Sequence, residues 1–343
     1  MNNPMVIDKC NIYDIFYVND RVHIITPTSN DESHKMKITY DDQMFIRDRC
    51  SSTYYCLKCE YKEYIDLCID DEHINNVKVN KYPEFNDDIV LTTMVKNEDN
   101  YIIQWIEYHL SIGFTKFLIY DNSSSIKTIH ESDPDTSDLQ NVLKEYIEKG
   151  EVILIEWKYP FTGGGFNRNS GQLTQQNHAL RLLTRSRYVG FFDIDEYINI
   201  TNYESHDGII SILDDILLKS NRAGVRMWCK FMQNPSAKET KGYEFLKITD
   251  YFYSIHGRNP NEHCFNSNNS PKIIVIPSRT YQVSIHTYKE KGQYNFFEIR
   301  DYASVYFNHY YFLNKTNRKG WRNGKKCIFN DDSLVIFHEK LTK

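Results

Sequence analysis

One stretch, Ile89-Val-Leu-Thr-Thr-Met-Val95, limits the possible folds of this chain more than any other. It is almost continuously apolar, the pattern of a strand covered on both faces, and such strands belong to parallel sheets held between helices. The next hundred residues repeat that theme. Apolar residues at helical spacing from Ile102 to Ile112 predict a helix capped by Asp99 and stopped at Gly113, and Lys116 to Tyr120 reads as the next strand. A helix over about 137–149 ending at Gly150, a strand over Glu151 to Trp157, a helix over Gln172 to Thr184 and a strand over Tyr188 to Phe192 continue the alternation. Strand and helix in turn are the mark of βαβ units, hence of an open α/β sheet that binds ligands at the carboxyl ends of its strands.

On either side the pattern differs. Residues 1–86 hold short β-branched and aromatic runs broken by polar clusters, so we expect a small β-rich region there and an α/β domain over residues 87–343. That domain divides into a tightly alternating half of about 87–200 and a looser half of about 201–343. The looser half shows a helix near 206–220, strands over Gly224 to Phe231, Lys272 to Pro277 and Tyr281 to His286, and a polar stretch from Met232 to Ser270.

Charge and cysteine content exclude several functions. With 41 basic against 46 acidic residues the chain lacks the positive surface that wraps phosphate backbones, so no nucleic-acid partner is expected. Asp8, Lys9 and Asp14 interrupt the first apolar residues, and no later run approaches the roughly 18 apolar residues that cross a bilayer. A soluble cytoplasmic protein without a transmembrane segment is the expectation. Cys50, Cys56, Cys59 and Cys68 could hold a structural zinc, but a second Cys-x-x-Cys is missing and free thiols are the preferred reading.

The sharpest chemical feature is Phe191-Phe-Asp-Ile-Asp-Glu-Tyr197, where an apolar strand runs out into acid. On extended backbone, alternate residues share a side, so Asp193 and Asp195 would face one way and repel unless a cation lay between them. Oxygen ligands suit Mg²⁺ or Mn²⁺, which in turn suit a diphosphate. The competing reading, an acidic helix start matched to its dipole, is weakened by the position at a strand end. Lys96-Asn97-Glu98 and Asp121-Asn122-Ser-Ser end the two preceding strands. They supply donors and acceptors for a base or ribose, although turn chemistry accounts for the second equally well.

Val95-Lys-Asn-Glu98, Trp105-Ile-Glu-Tyr-His109, Gly113, Tyr120-Asp-Asn-Ser-Ser124, Gln172, Asn177 and Phe192-Asp-Ile-Asp-Glu-Tyr197, taken in this order, resemble glycosyltransferase family 92 over about residues 88–312. The resemblance implies a GT-A fold, Rossmann-like with a mostly parallel sheet, and a nucleotide-sugar donor, most often a UDP-sugar. It also implies a divalent cation bound through Asp193 and Asp195, and transfer to a glycan or glycoprotein hydroxyl with inversion. Donor contacts are then expected from Lys96, Asn97, Glu98, Asp121, Asn122, Gln172, Asp193 and Lys315, with the nucleotide sugar on the first half of the domain and the acceptor on the second. The family's Lys-x-x-x-x-Pro segment followed by a strand ending in His corresponds to Lys272 to Pro277 and His286, and its His-Tyr with a following Lys to His309, Tyr310 and Lys315.

An imidazole would complete the coordination of Mn²⁺ beside two carboxylates, and His286 is favoured over His309, which lies in a Tyr-rich run where a packed histidine is the plainer reading. The cation would act as a Lewis acid on the leaving diphosphate. Lys315, Arg318 and Lys319 would neutralise it, or else form a solvated basic tail. Inversion needs a carboxylate opposite the diphosphate to take the acceptor proton. Glu262 is the first choice and Asp250 the second. Glu196 is read as structural, because neighbours on an extended segment point to opposite faces. Trp105 and Tyr108 extend an apolar stripe and read as core, Trp228 is open between core and sugar stacking, and Gly163-Gly-Gly165 reads as a mobile loop near the donor.

In two respects the chain departs from the family. Many members carry an N-terminal membrane helix that is not seen here, and residues 1–86 match nothing recognised, leaving an oligomer interface, acceptor orientation or a sheet cap as their role. A nucleotidyltransferase lacks support because Lys96-Asn97-Glu98 has no glycine, and a catalytically inactive carbohydrate-binding protein would need no paired acids.

Overall fold

In a computed structural model, residues 5–7, 10–26, 36–49, 53–123, 137–159, 171–200, 208–233, 253–256, 271–299, 305–310 and 327–330 are described. Asp250, Glu262, Lys315, Cys50 and Gly163 to Gly165 lie outside them.

The buried strand Ile89–Val95 does sit in a parallel sheet. It pairs in parallel with Lys116–Asp121 on one side and Tyr188–Phe191 on the other, and Val152–Glu156 adds in parallel beyond Lys116–Asp121. The full central sheet runs Val152–Glu156, Lys116–Asp121, Ile89–Val95, Tyr188–Phe191, Lys272–Val275, Gly224–Met227, Glu298–Ile299. Lys272–Val275 is antiparallel to both its neighbours, so the sheet is mixed. All seven residues of Ile89–Val95 are buried because helices cover both faces. The helix Asp99–Ser111 packs on one face, with Ile102, Trp105 and Ile106 in a core with Leu91, Phe117 and Ile119. The helix Gly171–Leu182 packs on the other, with Ala179 and Leu180 against Val90, Leu118 and Val189.

Several local expectations change. Asp99 does not cap its helix, since Glu98 holds that position and the Asp99 carboxylate instead accepts from the Ser137 hydroxyl and the Asp138 N–H. The expected helix over 137–149 is two short ones, Leu139–Val142 and Lys144–Glu148, broken at Leu143. The expected strand from Gly224 to Phe231 is interrupted at Trp228, where the chain leaves the central sheet for a second one. That second sheet runs Glu196–Asn199, Tyr306–His309, Cys229–Gln233, Tyr253–His256, Cys327–Asn330. Within the helix expected near 206–220 only Gly208–Leu213 is α-helical, and Asp214–Leu218 forms a π turn after it.

Beyond the short antiparallel pair Met5–Ile7 and Cys10–Ile12, the N-terminal residues form two sheets. One runs Asn80–Lys81, Asp14–Val18, Arg21–Thr26, Thr53–Lys58, Ile46–Arg49, and the other Glu72–Lys78, Tyr64–Ile69, Ile38–Tyr40, Gln43–Met44. Their turns at Asn19-Asp20, Asp41-Asp42 and Asp70-Asp71 have φ between 47° and 72°, the left-handed pair that matches strand twist and that Asn and Asp adopt most readily among non-glycine residues. Side chains alternate across the first of these sheets. Ile15, Val22 and Ile24 face the other N-terminal sheet, whereas Phe16 and Ile25 join the core of the helix Gly171–Leu182 and the central sheet. Cys56 is buried on one sheet and Cys68 half-buried on the other. Among the described residues these cysteines, with Cys59, are free and join no metal-ligating group. No described helix is long and apolar enough to cross a membrane.

Candidate active site

The acidic run lies where the chain leaves Tyr188–Phe191 for the second sheet, at the carboxyl end of a parallel strand. It is a tight turn and not the extended segment the alternation suggested. The Glu196 N–H donates to the Asp193 carbonyl over 3.0 Å, and the Glu196 carboxylate reaches back to accept from the Asp193 N–H over 2.9 Å. Asp193 and Asp195 therefore do not share a side by strand alternation, and Glu196 does not point away from them. The turn brings Asp195 and Glu196 to a common partner, His309.

His309 Nε2 stands 3.4 Å from Asp195 Oδ2, and its Nδ1 stands 3.6 Å from Glu196 Oε1. Strand register puts it there, with Glu196 directly opposite His309 in the antiparallel pair of Glu196–Asn199 and Tyr306–His309, and the Tyr310 N–H donating to the Asp195 carbonyl. Asp195, Glu196 and His309 each offer a ligand atom within 4.8 Å of the others, the one such group of His, Cys, Asp and Glu among the described residues. Burial alone would lower the His309 pKa, but the Asp195 and Glu196 carboxylates hold it well above the ordinary value.

Lys272 adds a buried cation. Its Nζ lies 2.6 Å from Asp193 Oδ2 and 3.0 Å from Glu196 Oε2, and the residue is 2 % exposed. Burial opposes the charge, and the two carboxylates outweigh it and raise the lysine pKa. For Glu196, fully buried, desolvation wins over the pull of Lys272 and lifts the carboxyl to about 7.

The helix Asp99–Ser111 fixes the strand that carries these groups. Trp105 Nε1–H donates to the Glu196 carbonyl over 3.0 Å, and the Tyr108 hydroxyl to the Ile198 carbonyl over 2.6 Å. Gln104 Nε2 donates to the Tyr197 hydroxyl over 3.1 Å. His109 is neutral, its pKa lowered to about 3 by burial. Its Nδ1 then donates to the Trp105 carbonyl and its Nε2 accepts from the Ile198 N–H. Trp105 and Tyr108 are core residues, as their stripe suggests. Trp228 is also buried, with its indole N–H 3.1 Å from Glu298 Oε1.

The remaining expected residues are spread over the strand ends. His286 is half-buried beside Pro271, its Nδ1 2.9 Å from that carbonyl, and burial lowers its pKa against the nearby Asp193 charge; the geometry does not bring it into the group of His309. Asn97 is left-handed at φ 53°, and its N–H reaches Ser123 Oγ over 3.4 Å, which joins the ends of the first two strands. Asp121 Oδ1 accepts from the Ser123 N–H over 2.9 Å. Asn122 is fully buried, its amide donating to the Trp157 and Tyr159 carbonyls, so it braces the strand end from within. Lys96 and Glu98 are half-buried at the first strand end, and Gln172 is buried in the first turn of its helix. The sequence reading left Glu196 structural, took Lys272 only as the start of a family segment and placed His309 behind His286, whereas the fold brings all three residues to, or next to, the acid turn. The Lys-x-x-x-x-Pro segment and the Glu directly after Asp195 were the available signals.

The sequence profile of glycosyltransferase family 92 matches residues 91–340. The chain belongs to glycosyltransferase family 92. It is similar to a glycosyltransferase family 92 protein of Ricinus communis, 23% identical over 228 residues that make up 64% of this chain and 34% of that protein. A family 92 protein of Oryza sativa subsp. japonica is 24% identical over 118 residues, 34% of this chain and 17% of that one. The chain thus spans about a third or less of the length of these relatives. Among solved structures it is similar to apo WbbM, a bifunctional glycosyltransferase, at 15% identity and a TM-score of 0.25, over 50% of this chain and 27% of that one. The acid turn, the helix Asp99–Ser111, Lys272 and His309 all fall inside the family 92 match. The N-terminal sheets fall outside it.

Proposed function

We propose that this family 92 chain transfers a sugar from a nucleoside-diphosphate donor, a UDP-sugar, to a hydroxyl of a glycan or glycoconjugate, with inversion and with a divalent cation, on a GT-A fold. The carrying observation is the acid turn at the carboxyl end of Tyr188–Phe191, with Asp195, Glu196 and His309 close enough to share one ion. The mostly parallel sheet covered by helices on both faces supports the GT-A assignment.

The donor set fits the cation. Carboxylate oxygens and an imidazole are ligands that Mn²⁺ accepts. Asp195 with His309 and Glu196 would hold it, with Asp193 beside them, and this placing favours His309 over His286. When bound, the ion supplies Lewis-acid stabilisation of charge on the departing diphosphate. The protein's own part is to keep the carboxylates fixed. Lys272 spans Asp193 and Glu196, so neither can swing away, and the Trp105 and Tyr108 bonds lock the following strand. Orientation of this kind lowers a barrier by removing reorganisation from the reacting step. Proton removal from the acceptor is assigned to Glu262, with Asp250 as the second candidate.

The test is a thermal-shift and calorimetry screen of UDP, GDP, CDP, TDP and ADP with and without Mn²⁺, because a ligand that binds only the folded state raises its melting temperature. One diphosphate should stabilise the protein only with Mn²⁺, and Asp195→Ala should abolish the response. A Mn²⁺ requirement that weakens in His286→Ala and not in His309→Ala would move the imidazole ligand to His286. No response to any diphosphate would sink the enzyme reading and turn attention to direct carbohydrate binding.

A further inference from the structure

We propose that the N-terminal strands brace the end of the strand Lys116–Asp121, where the donor reading expects nucleoside contacts, and that Asp14 is the positioning residue, acting on that strand end through His178 and Tyr120. The proposal rests on the donor reading above and assigns a role to a region outside the family match.

The line starts at a buried carboxylate. Asp14 is 8 % exposed, and a charge so placed needs donors around it. Asn80 Nδ2 donates to Oδ1 over 2.7 Å, while the Tyr82 hydroxyl and His178 Nε2 each lie 2.8 Å from Oδ2. A carboxylate only accepts, so Nε2 carries a proton. On the other side of the ring, His178 Nδ1 is 2.6 Å from the hydroxyl of Tyr120, which is fully buried. Asp14 belongs to the first N-terminal sheet, His178 to the helix Gly171–Leu182, and Tyr120 to the central strand Lys116–Asp121. One unbroken polar line therefore crosses three layers and ends one residue before Asp121.

A second line starts at the preceding residue. The Tyr13 ring stacks on Tyr159 with centroids 3.6 Å apart and planes 5° apart, and the Tyr159 hydroxyl donates to the Tyr13 carbonyl. The Tyr159 and Trp157 carbonyls hold the Asn122 amide at 2.7 and 2.6 Å. The first line ends at Tyr120 and the second at Asn122, the two neighbours of Asp121 at the strand end where donor contacts are expected. A region that merely capped the sheet needs apolar contact, which Phe16 and Ile25 already supply. Two directed lines of hydrogen bonds do more, because a bond with a required direction fixes position where apolar contact tolerates sliding.

The experiment uses the full chain carrying Asp14→Asn, Tyr120→Phe or both. The control is Leu67→Ala, which truncates the core between the two N-terminal sheets and touches neither line. UDP with Mn²⁺ is the probe, at a temperature well below every melting transition. Each single line variant should raise the Kd about tenfold, and the double variant should do little more than the worse single one. The amides of Asn122 and Trp157, bonded to the Val95 and Asp121 carbonyls, should exchange faster in the same variants. Leu67→Ala should lower the melting temperature and change neither. Equal effects in Leu67→Ala, or unchanged exchange in Asp14→Asn, would overturn the proposal. A wild-type protein that binds no UDP would instead remove the donor reading, and amide exchange would still decide the positioning role.

Discussion

Lys272 Nζ lies 2.6 Å from Asp193 Oδ2, a buried ammonium joined to a carboxylate that is partly open to solvent. The pair ties the antiparallel strand Lys272–Val275 to the turn after its neighbour, so removing the cation leaves buried Glu196 with His309 at 3.6 Å as its remaining positive neighbour. Breaking a buried pair by deleting one partner costs about 3–5 kcal/mol. Lys272→Met should lose that much in urea unfolding, and Lys272→Met with Glu196→Gln should recover most of it. A loss in the single variant below about 1 kcal/mol would show that water compensates the acids.

Tyr108→Phe isolates the support from the helix Asp99–Ser111. The change keeps the ring and deletes the hydroxyl that donates to the Ile198 carbonyl over 2.6 Å, leaving a buried acceptor unpaired. A loss of about 1–3 kcal/mol is expected by denaturant titration. An unchanged midpoint would mean that the Glu196–Asn199 strand holds itself.

Acid should weaken the fold through two buried histidines. Burial lowers His109 and His23 from 6.5 to about 3, so between those values the unfolded chain binds protons that the folded one refuses. Stability then rises with pH across that window and falls as pH drops below about 6.5. Each residue should cost about 2 kcal/mol between pH 7 and pH 5. His109→Gln should flatten the slope of unfolding free energy against pH relative to wild type. An unaltered slope would show that His109 is protonated in the folded state.

Gly208 tests backbone geometry beside the same helix. Its φ is +60°, and a Cβ there would meet the Ile112 carbonyl oxygen at 2.6 Å. Gly208→Ala should cost about 1–3 kcal/mol, measured against Gly292→Ala, where a Cβ meets nothing within 4 Å. Equal melting temperatures for the two variants would contradict the close approach.

The sheet was legible because its information is local. Ile89–Val95 announces double burial in seven consecutive residues, and the apolar spacing to Ile112 announces the helix after it. Asp193 and Asp195 were legible as acids at a strand end, but their geometry was not, because a hydrogen bond from Glu196 to Asp193 turns the backbone where alternation assumed it straight. The nearness of His309 to the acid turn was not legible, since it depends on a pairing between strands more than a hundred residues apart in sequence. Leu143 and Trp228 interrupt elements for tertiary reasons. Trp228 marks the change of sheets, which no local propensity records.

The pairing of Glu196 with His309 also sets a schedule for synthesis. When a ribosome has released the chain through Ile299, all strands of the central sheet exist, yet the partner of Asp195 and Glu196 does not. A translation product that stops between residues 300 and 308 would be able to build its main sheet and would carry an acid turn with no imidazole opposite it. The last strand of the scaffold precedes His309 by only ten residues, and a product terminated in that interval would lack the imidazole that the proposed cation site needs.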